Sequence, residues 1–314
     1  FGNNVAGITF PFNGTVAAVS RGNRRGNLEL KPEFTTSYEA GVELGLFDGR
    51  ASLDVNYFFN KSTEQIFNVD VPGSTGFTTF TQNAGEIQNK GWEITATGTP
   101  FTFEGGFRWD VNVNFTDIQS KVVSLAPGLN QFTLLTGAAT AGFAGLSPVL
   151  IPGQPFGVIQ SSAFLRDEQG RFIINPNTGV PVVDQNPQII ADPNADWWGS
   201  LGNTFSFKGF NLNVLLQYVH GGDFYSRQTQ IARLRGALEE QTDRERPYLF
   251  EGVVLNADGT SRPNTTQISA QEYWVALNAA NEFAVFEASV FRVREVSLGY
   301  ELPASIQGRT PFGA

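Results

Sequence analysis

The 314 residues carry 21 basic and 30 acidic side chains, a formal net charge of −9, and only 16% are charged, against the ~25% of an ordinary soluble domain. That acidic balance argues against a phosphate-binding surface, so no nucleic-acid partner is expected. Cysteine and methionine are absent and His220 is the single histidine, which removes disulfides, thiolate metal sites, cysteine nucleophiles and multi-histidine metal centres, and leaves no cofactor or metal to expect. Gly (34) and Phe (28) are abundant instead, the composition of an all-β chain. With no methionine even at position 1, the chain reads as a processed product or a fragment.

A period of two, which a strand turns into two chemically distinct faces, marks seven segments. In 34–46, Tyr38, Ala40, Val42, Leu44 and Leu46 oppose Ser37, Glu39, Gly41, Glu43 and Gly45. In 51–63, Leu53, Val55, Tyr57 and Phe59 oppose Ser52, Asp54 and Asn56, and in 85–98 Trp92, Ile94 and Ala96 oppose Glu93, Thr95 and Thr97. The cleanest case is 106–121, where Phe107, Trp109, Val111, Val113 and Phe115 alternate with Arg108, Asp110, Asn112, Asn114 and Thr116. In 197–207, Leu201, Phe205 and Phe207 alternate with Gly202, Thr204 and Ser206; in 210–222, Leu212, Val214, Leu216 and Tyr218 oppose Asn211, Asn213 and Gln217. In 288–302, Val296, Leu298 and Tyr300 oppose Glu295, Ser297 and Glu301, while Phe291 and Val293 sit on the other parity. Each segment reaches the ~9–11 residues that cross a bilayer at a tilt.

The connections alternate in length. Short links run through Asp48-Gly49, through Pro100 and Gly105-Gly106, and through Lys208-Gly209, all with turn chemistry. The others, 64–84, 122–196 and 223–287, are long. Alternation alone also suits a soluble sheet over a core, and a soluble or surface-attached β-rich module binding carbohydrate or protein is the alternative reading. Loop asymmetry favours an antiparallel transmembrane β-barrel segment of about seven strands, with long extracellular loops and short periplasmic turns. Residues 1–33 would then be an extracellular loop, and 1–314 part of one barrel domain. Trp109, Val111, Val113, Leu53, Val55, Tyr57, Leu212, Val214 and Leu216 should face the lipid bilayer. Seven strands would leave two open edges, which lipid does not tolerate, so the chain is expected to be a segment of a larger barrel.

Several stretches resemble the C-terminal half of the TonB-dependent outer-membrane transporters of the SusC/RagA type. Leu30-Lys31-Pro32-Glu33 with Ser37-Tyr38-Glu39-Ala40-Gly41-Val42-Glu43 is similar to that family's "LKPE…YEAGVE" segment. Asn83-Ala84-Gly85-Glu86-Ile87 with Asn89-Lys90-Gly91-Trp92-Glu93-Ile94 resembles "NxGxIxNKGxE". Asp192 to Trp197, Lys208-Gly209-Phe210, His220 to Asp223 with Tyr225-Ser226, and Phe291 to Pro303 resemble later stretches, in order to the end of the chain. The resemblance implies location in the cell outer membrane and active transport of a large solute, of the oligosaccharide or peptide class, through a plugged barrel. It also implies energy from TonB through an N-terminal region outside this chain, and a surface lipoprotein lid of the SusD type. The family's plug and last barrel strands are not matched here.

No catalytic residue and no enzyme activity are expected. His220, before Gly221-Gly222, reads as a rim residue at a strand end, and no Gly-x-Ser-x-Gly elbow exists. The turns Asp167 to Gly170 and Asn175 to Gly179 resemble calcium-binding loops of some relatives, but Asn and Thr stand where carboxylates would be needed; plain hairpin turns are the better reading. Within 223–287, Ile231, Leu234 and Leu238 have helical spacing, and Ser269 to Glu272 is a capping box before Tyr273-Trp274. Tyr273 and Trp274 are the candidate ligand-binding residues, able to stack on a sugar or peptide, with packing of the loop onto its neighbours the favoured reading. Of Trp197-Trp198, at least one is expected in an interfacial girdle.

Overall fold

A computed structural model of the chain describes residues 22–134 and 145–302, together with the backbone of the strand pair Val5–Ala6 and Ser20–Arg21. Most of segment 1–33, and Pro303 of the terminal stretch, lie outside the described residues. Seven long strands form one antiparallel sheet: β1 Phe34–Leu46, β2 Ala51–Thr63, β3 Gly85–Thr102, β4 Phe107–Leu125, β5 Ala195–Phe207, β6 Phe210–Gly221 and β7 Val290–Tyr300. Each pairs with its sequence neighbours, and the order is β7-β6-β5-β4-β3-β2-β1. In such a meander alternate connections must share an end. The links after β1, β3 and β5 are therefore at one end of the sheet, and the long ones at the other. Among the described residues β1 and β7 each have one unpaired edge.

The short links show why they turn. Phe47, Asp48 and Gly49 take left-handed angles (φ +54°, +54° and +84°) between the paired Leu46 and Ala51. Lys208 and Gly209 do the same (φ +46° and +87°) between Phe207 and Phe210. Two left-handed residues give the turn twist that matches right-twisted strands.

The register carries the two faces across the whole sheet. Leu44, Leu53, Ala96, Val113, Leu201, Leu216 and Val293 lie in one lateral row, flanked by the row through Val42, Val55, Ile94 and Phe115. All nine residues expected to face lipid share this face. The parity break near the end of the chain has a local cause. Leu215 pairs with Glu295 but Leu216 with Val293, so Arg294 is the extra residue of a β-bulge. The bulge brings Phe291 and Val293 back to the apolar face. A second register shift between Gly98 and Phe101 absorbs Pro100, which has no N–H to give to a ladder. It also carries β3 to Thr102, four residues beyond its alternating segment.

The apolar face is bare. Val113 is 39%, Val42 57% and Leu298 70% exposed. Taking the long-connection end as the outer end, every buried apolar residue among those described lies in the long connections or on the opposite face at the outer ends of β3 and β4, as with Ile87 and Val122. A soluble module would cover this face with another layer, because that is where its core would form.

Aromatic rings border the band at both ends. On the short-link side Phe101 and Trp109 lie 5.7 Å apart, Trp109 and Phe205 5.8 Å, and Phe210 and Tyr300 4.4 Å. On the long-loop side Tyr57 meets Trp92 at 4.9 Å, and Trp197 meets Phe115 at 5.6 Å and Tyr218 at 5.4 Å. Along β4 the eight steps from Phe107 to Phe115 span about 26 Å, or roughly 20 Å along the membrane normal at a tilt of about 40°. Paired girdles at this spacing are what a membrane-spanning barrel wall presents to lipid.

Candidate functional site

The opposite face is a hydrogen-bonded polar wall. Its short side chains bond to one another both across and along the strands. Ser52 and Thr97 hydroxyls meet at 2.5 Å. The Thr95 hydroxyl donates to Asn114 Oδ1 at 3.1 Å, and Asn114 Nδ2 donates to Asn112 Oδ1 at 2.6 Å and Ser200 Oγ at 3.2 Å. The Thr204 hydroxyl donates to Asn213 Oδ1 at 2.8 Å, and Asn213 Nδ2 to Ser297 Oγ at 3.3 Å. Parity also places Glu39, Glu43, Asp54, Glu93, Asp110 and Glu295 here, against Arg108 and Arg292. Arg108 is held by Asp110 at 2.6 Å. Carboxylates therefore outnumber cations on this wall.

Over its outer end sits a cap built from the described parts of the long connections 126–194 and 222–289. The two are tied together at several points. Ile173 and Val253 form a parallel bridge. The Arg166 guanidinium lies 4.2 Å over the Phe172 ring and pairs with Glu282 at 3.1 Å, and Asn281 Nδ2 donates to Ser161 Oγ at 2.8 Å. The cap core gathers Ile174, Tyr248, Phe250, Val254, Ile268 and Leu277.

Two helices stand in the cap. The first, α1 (Arg227–Leu234), begins on Ser226, whose hydroxyl accepts from Thr229 N. It stops before Leu238, which the helical spacing had included. Gly236 at φ +67° lets Ala237 N donate to Ala232 O and Gly236 N to Arg233 O, the paired bonds that close a helix with a left-handed residue. The second, α2 (Ala270–Leu277), has the expected capping box: Ser269 N donates to Glu272 Oε2 at 2.9 Å, and Glu272 N to Ser269 Oγ at 3.3 Å. The Ser269 backbone and hydroxyl bonds, in that order, hold the Glu272 carboxyl below its ordinary range.

The candidate pair on α2 is divided by its packing. Tyr273 stacks on Tyr248 at 4.7 Å and on Phe250 at 4.4 Å. Burial, and then the neighbouring Tyr248, push its phenol above the ordinary value. Trp274 meets Tyr273 edge-on at 5.1 Å and also lines a cavity of 430 Å³ with Arg244 and Gln271.

The turn candidates are filled by their own backbone. Asp167 accepts from Gln169 N and Arg171 N and pairs with the Arg171 side chain at 2.6 Å; Asn175 Oδ1 accepts from Asn177 N. Among the described residues no group of three or more His, Asp or Glu side chains could hold a metal. His220 lies at the outer end of β6, its ring 5.4 Å from that of Trp197, the rim position read from its sequence context.

The adjacent tryptophans point to opposite faces, as period two requires. Trp197 joins the outer girdle. Trp198 turns to the polar wall and, with Phe156 and Asn194 overhanging from the cap, helps line a cavity of 470 Å³ at the outer end of the wall. Sequence reasoning missed this place. Its one signal was the Trp-Trp pair itself, since only one of two neighbours in a strand can face lipid.

A bare apolar band between aromatic girdles, backed by a polar wall and capped at one end, defines the wall of a membrane-spanning β-barrel with an elaborated mouth. Residues 2–237 match the model of the TonB dependent receptor-like β-barrel, and the chain belongs to that family. It is similar to TonB-dependent receptor P3 of Formosa agariphila, 25% identical over 307 residues, covering 90% of this chain and 28% of that protein. It is 31% identical to TonB-dependent receptor SusC of Bacteroides thetaiotaomicron over 120 residues, 38% of this chain and 12% of SusC. In fold it is similar to a chain of the RagAB peptide transporter, with a TM-score of 0.63 at 17% identity over 94% of this chain and 32% of that one. These likenesses bear out the resemblance to the SusC/RagA type. The chain spans under a third of the length of these relatives.

Proposed function

We propose that this chain supplies barrel wall and outer cap to an outer-membrane importer of large solutes, of the oligosaccharide or peptide class, energised through TonB. The observation that carries the reading is the pairing of a lipid-ready face with a hydrated wall while every long connection gathers at one end. Lipid cannot accept irregular backbone, so the cap belongs in water, on the side where solute arrives. The wall offers passage rather than chemistry, since no acid–base pair or nucleophile is assembled on it. A surface lipoprotein of the SusD type is the partner proposed for the mouth, as the likeness to SusC and to a RagAB chain suggests. Of the two aromatic candidates, Trp274 is the one proposed to touch solute, from its place on the 430 Å³ cavity; Tyr273 would act by holding the cap.

The test is uptake by cells carrying the full-length receptor, with and without a working TonB system. Uptake of a large oligosaccharide or peptide should need both the receptor and TonB. Uptake that survives loss of TonB would contradict the reading.

A further inference from the structure

We propose that the 470 Å³ cavity at the outer end of the polar wall is a subsite for a neutral sugar unit of the imported solute; the inference rests on the import reading and narrows its solute class. The cavity lies on the face expected to line the passage: Asn89 on β3, Ser120 on β4 and Trp198 on β5 all project there, and Phe156 and Asn194 close it from the cap. The overhang is fixed, because Asn194 Nδ2 donates to the Phe156 carbonyl at 2.9 Å. Its volume is in the range of small-ligand sites, enough for part of a long solute.

Three observations select the chemistry. First, none of the side chains lining the cavity is charged. An ionic group entering it would lose hydration without gaining a counter-ion, and the excess of carboxylates farther along the wall opposes anionic solutes in particular. Second, the Asn89 and Gln65 amides border the same space. Amides offer donors and acceptors at several angles, which vicinal sugar hydroxyls can answer. Third, Trp198 and Phe156 supply aromatic surface to the same cavity. A pyranose presents an apolar C–H face and a polar rim, so one ring can use both kinds of wall at once. An extended peptide shares the polar rim but has no such face in its backbone.

The experiment is calorimetric titration of the full-length receptor in detergent with neutral hexasaccharides (cellohexaose, laminarihexaose, mannohexaose and xylohexaose), an oligogalacturonate, and hexapeptides with free or blocked ends. At least one neutral hexasaccharide should bind, and more tightly than the oligogalacturonate or any peptide. Trp198→Ala should weaken it more than tenfold. Asn89→Ala should weaken it about fivefold, the loss of one net hydrogen bond. Failure of every neutral hexasaccharide to bind, preference for peptide or oligogalacturonate, or full binding by both variants would overturn the proposal, as would finding the cavity filled by another segment of the full-length chain. The import reading is tested apart from this: TonB-dependent uptake of a peptide, with no oligosaccharide bound, would sink the sugar subsite and leave import standing.

Discussion

Asn203 is the polar residue that breaks the apolar face of β5, and its partner makes it a probe of the surroundings. The Trp109 indole Nε1 donates to Asn203 Oδ1 at 3.2 Å. The two are diagonal neighbours, since Trp109 faces Phe205 and Val111 faces Asn203 in the register. In water such a bond would exchange freely with solvent and contribute little. In hydrocarbon the amide oxygen has no other donor, and orphaning it costs about 1–3 kcal/mol. Trp109→Phe should therefore destabilise the barrel by that amount beyond the loss of ring area, and Asn203→Leu should orphan the indole N–H in turn. The double replacement removes both polar groups, so it should be milder than the sum of the singles, with a coupling energy of about 1–2 kcal/mol. The assay is urea unfolding of the full-length receptor in lipid vesicles, followed by the heat-dependent gel shift of folded barrels. Additivity within about 0.5 kcal/mol would refute the reasoning, because it would mean that water reaches this face.

Three further outcomes are expected. Val111 lies four residues from Phe107 and from Phe115, about 13 Å along the strand each way. Val111→Arg should thus cost about 2–4 kcal/mol while Asn112→Arg, on the polar wall, is tolerated; unfolding curves of the two variants check this, and equal costs would contradict it. Gly91 lies under the Phe58 ring, and an added Cβ would stand 2.1 Å from the Asp117 carbonyl and 2.8 Å from that ring; Gly91→Ala should therefore cost about 1–3 kcal/mol through forced displacement, read as a lower urea midpoint. Glu272 is depressed below its ordinary 4.5 by the capping bonds of Ser269, so its support of α2 is complete above that value and is lost as pH falls through it toward the lower folded value. Hydrogen exchange at the amides of 273–277 should quicken over that window, and Glu272→Gln should remove the pH dependence.

The sheet was legible because a membrane strand has to separate its two faces at every second residue. In Phe107 to Thr116 nothing else competes with that rule, and the observed register follows it residue by residue. Where one residue is inserted, the rule looks broken. Arg294 made Phe291 and Val293 seem out of phase, and only the partner strand reveals the bulge. The ends of β3 and β4 were set short for similar reasons: Pro100 reads as a turn until its bulge is seen, and Val122 to Leu125 owe their pairing to Gly85 through Ile87. Both helices carried local signals, Ser269-x-x-Glu272 most clearly, whereas the end of α1 depends on the left-handed angle of Gly236. The cavity was the least legible part. Phe156 and Asn194 are 38 residues apart and meet over Ser120 through the tertiary course of the cap, which no periodicity encodes.

The central claim is that the odd-numbered residues of β4 face lipid and the even-numbered ones a hydrated lumen. The most direct measurement places a single nitroxide at each position from 107 to 116 in turn, using the absence of native cysteine here, with the full-length receptor in lipid vesicles. Collision rates with oxygen, which concentrates in hydrocarbon, are compared with those of a water-soluble nickel chelate. The account predicts a period of two: labels at Trp109, Val111, Val113 and Phe115 collide with oxygen, and labels at Asp110, Asn112 and Asn114 collide with nickel. Equal nickel access at both sets, or oxygen access at the Asn112 and Asn114 positions, would contradict it.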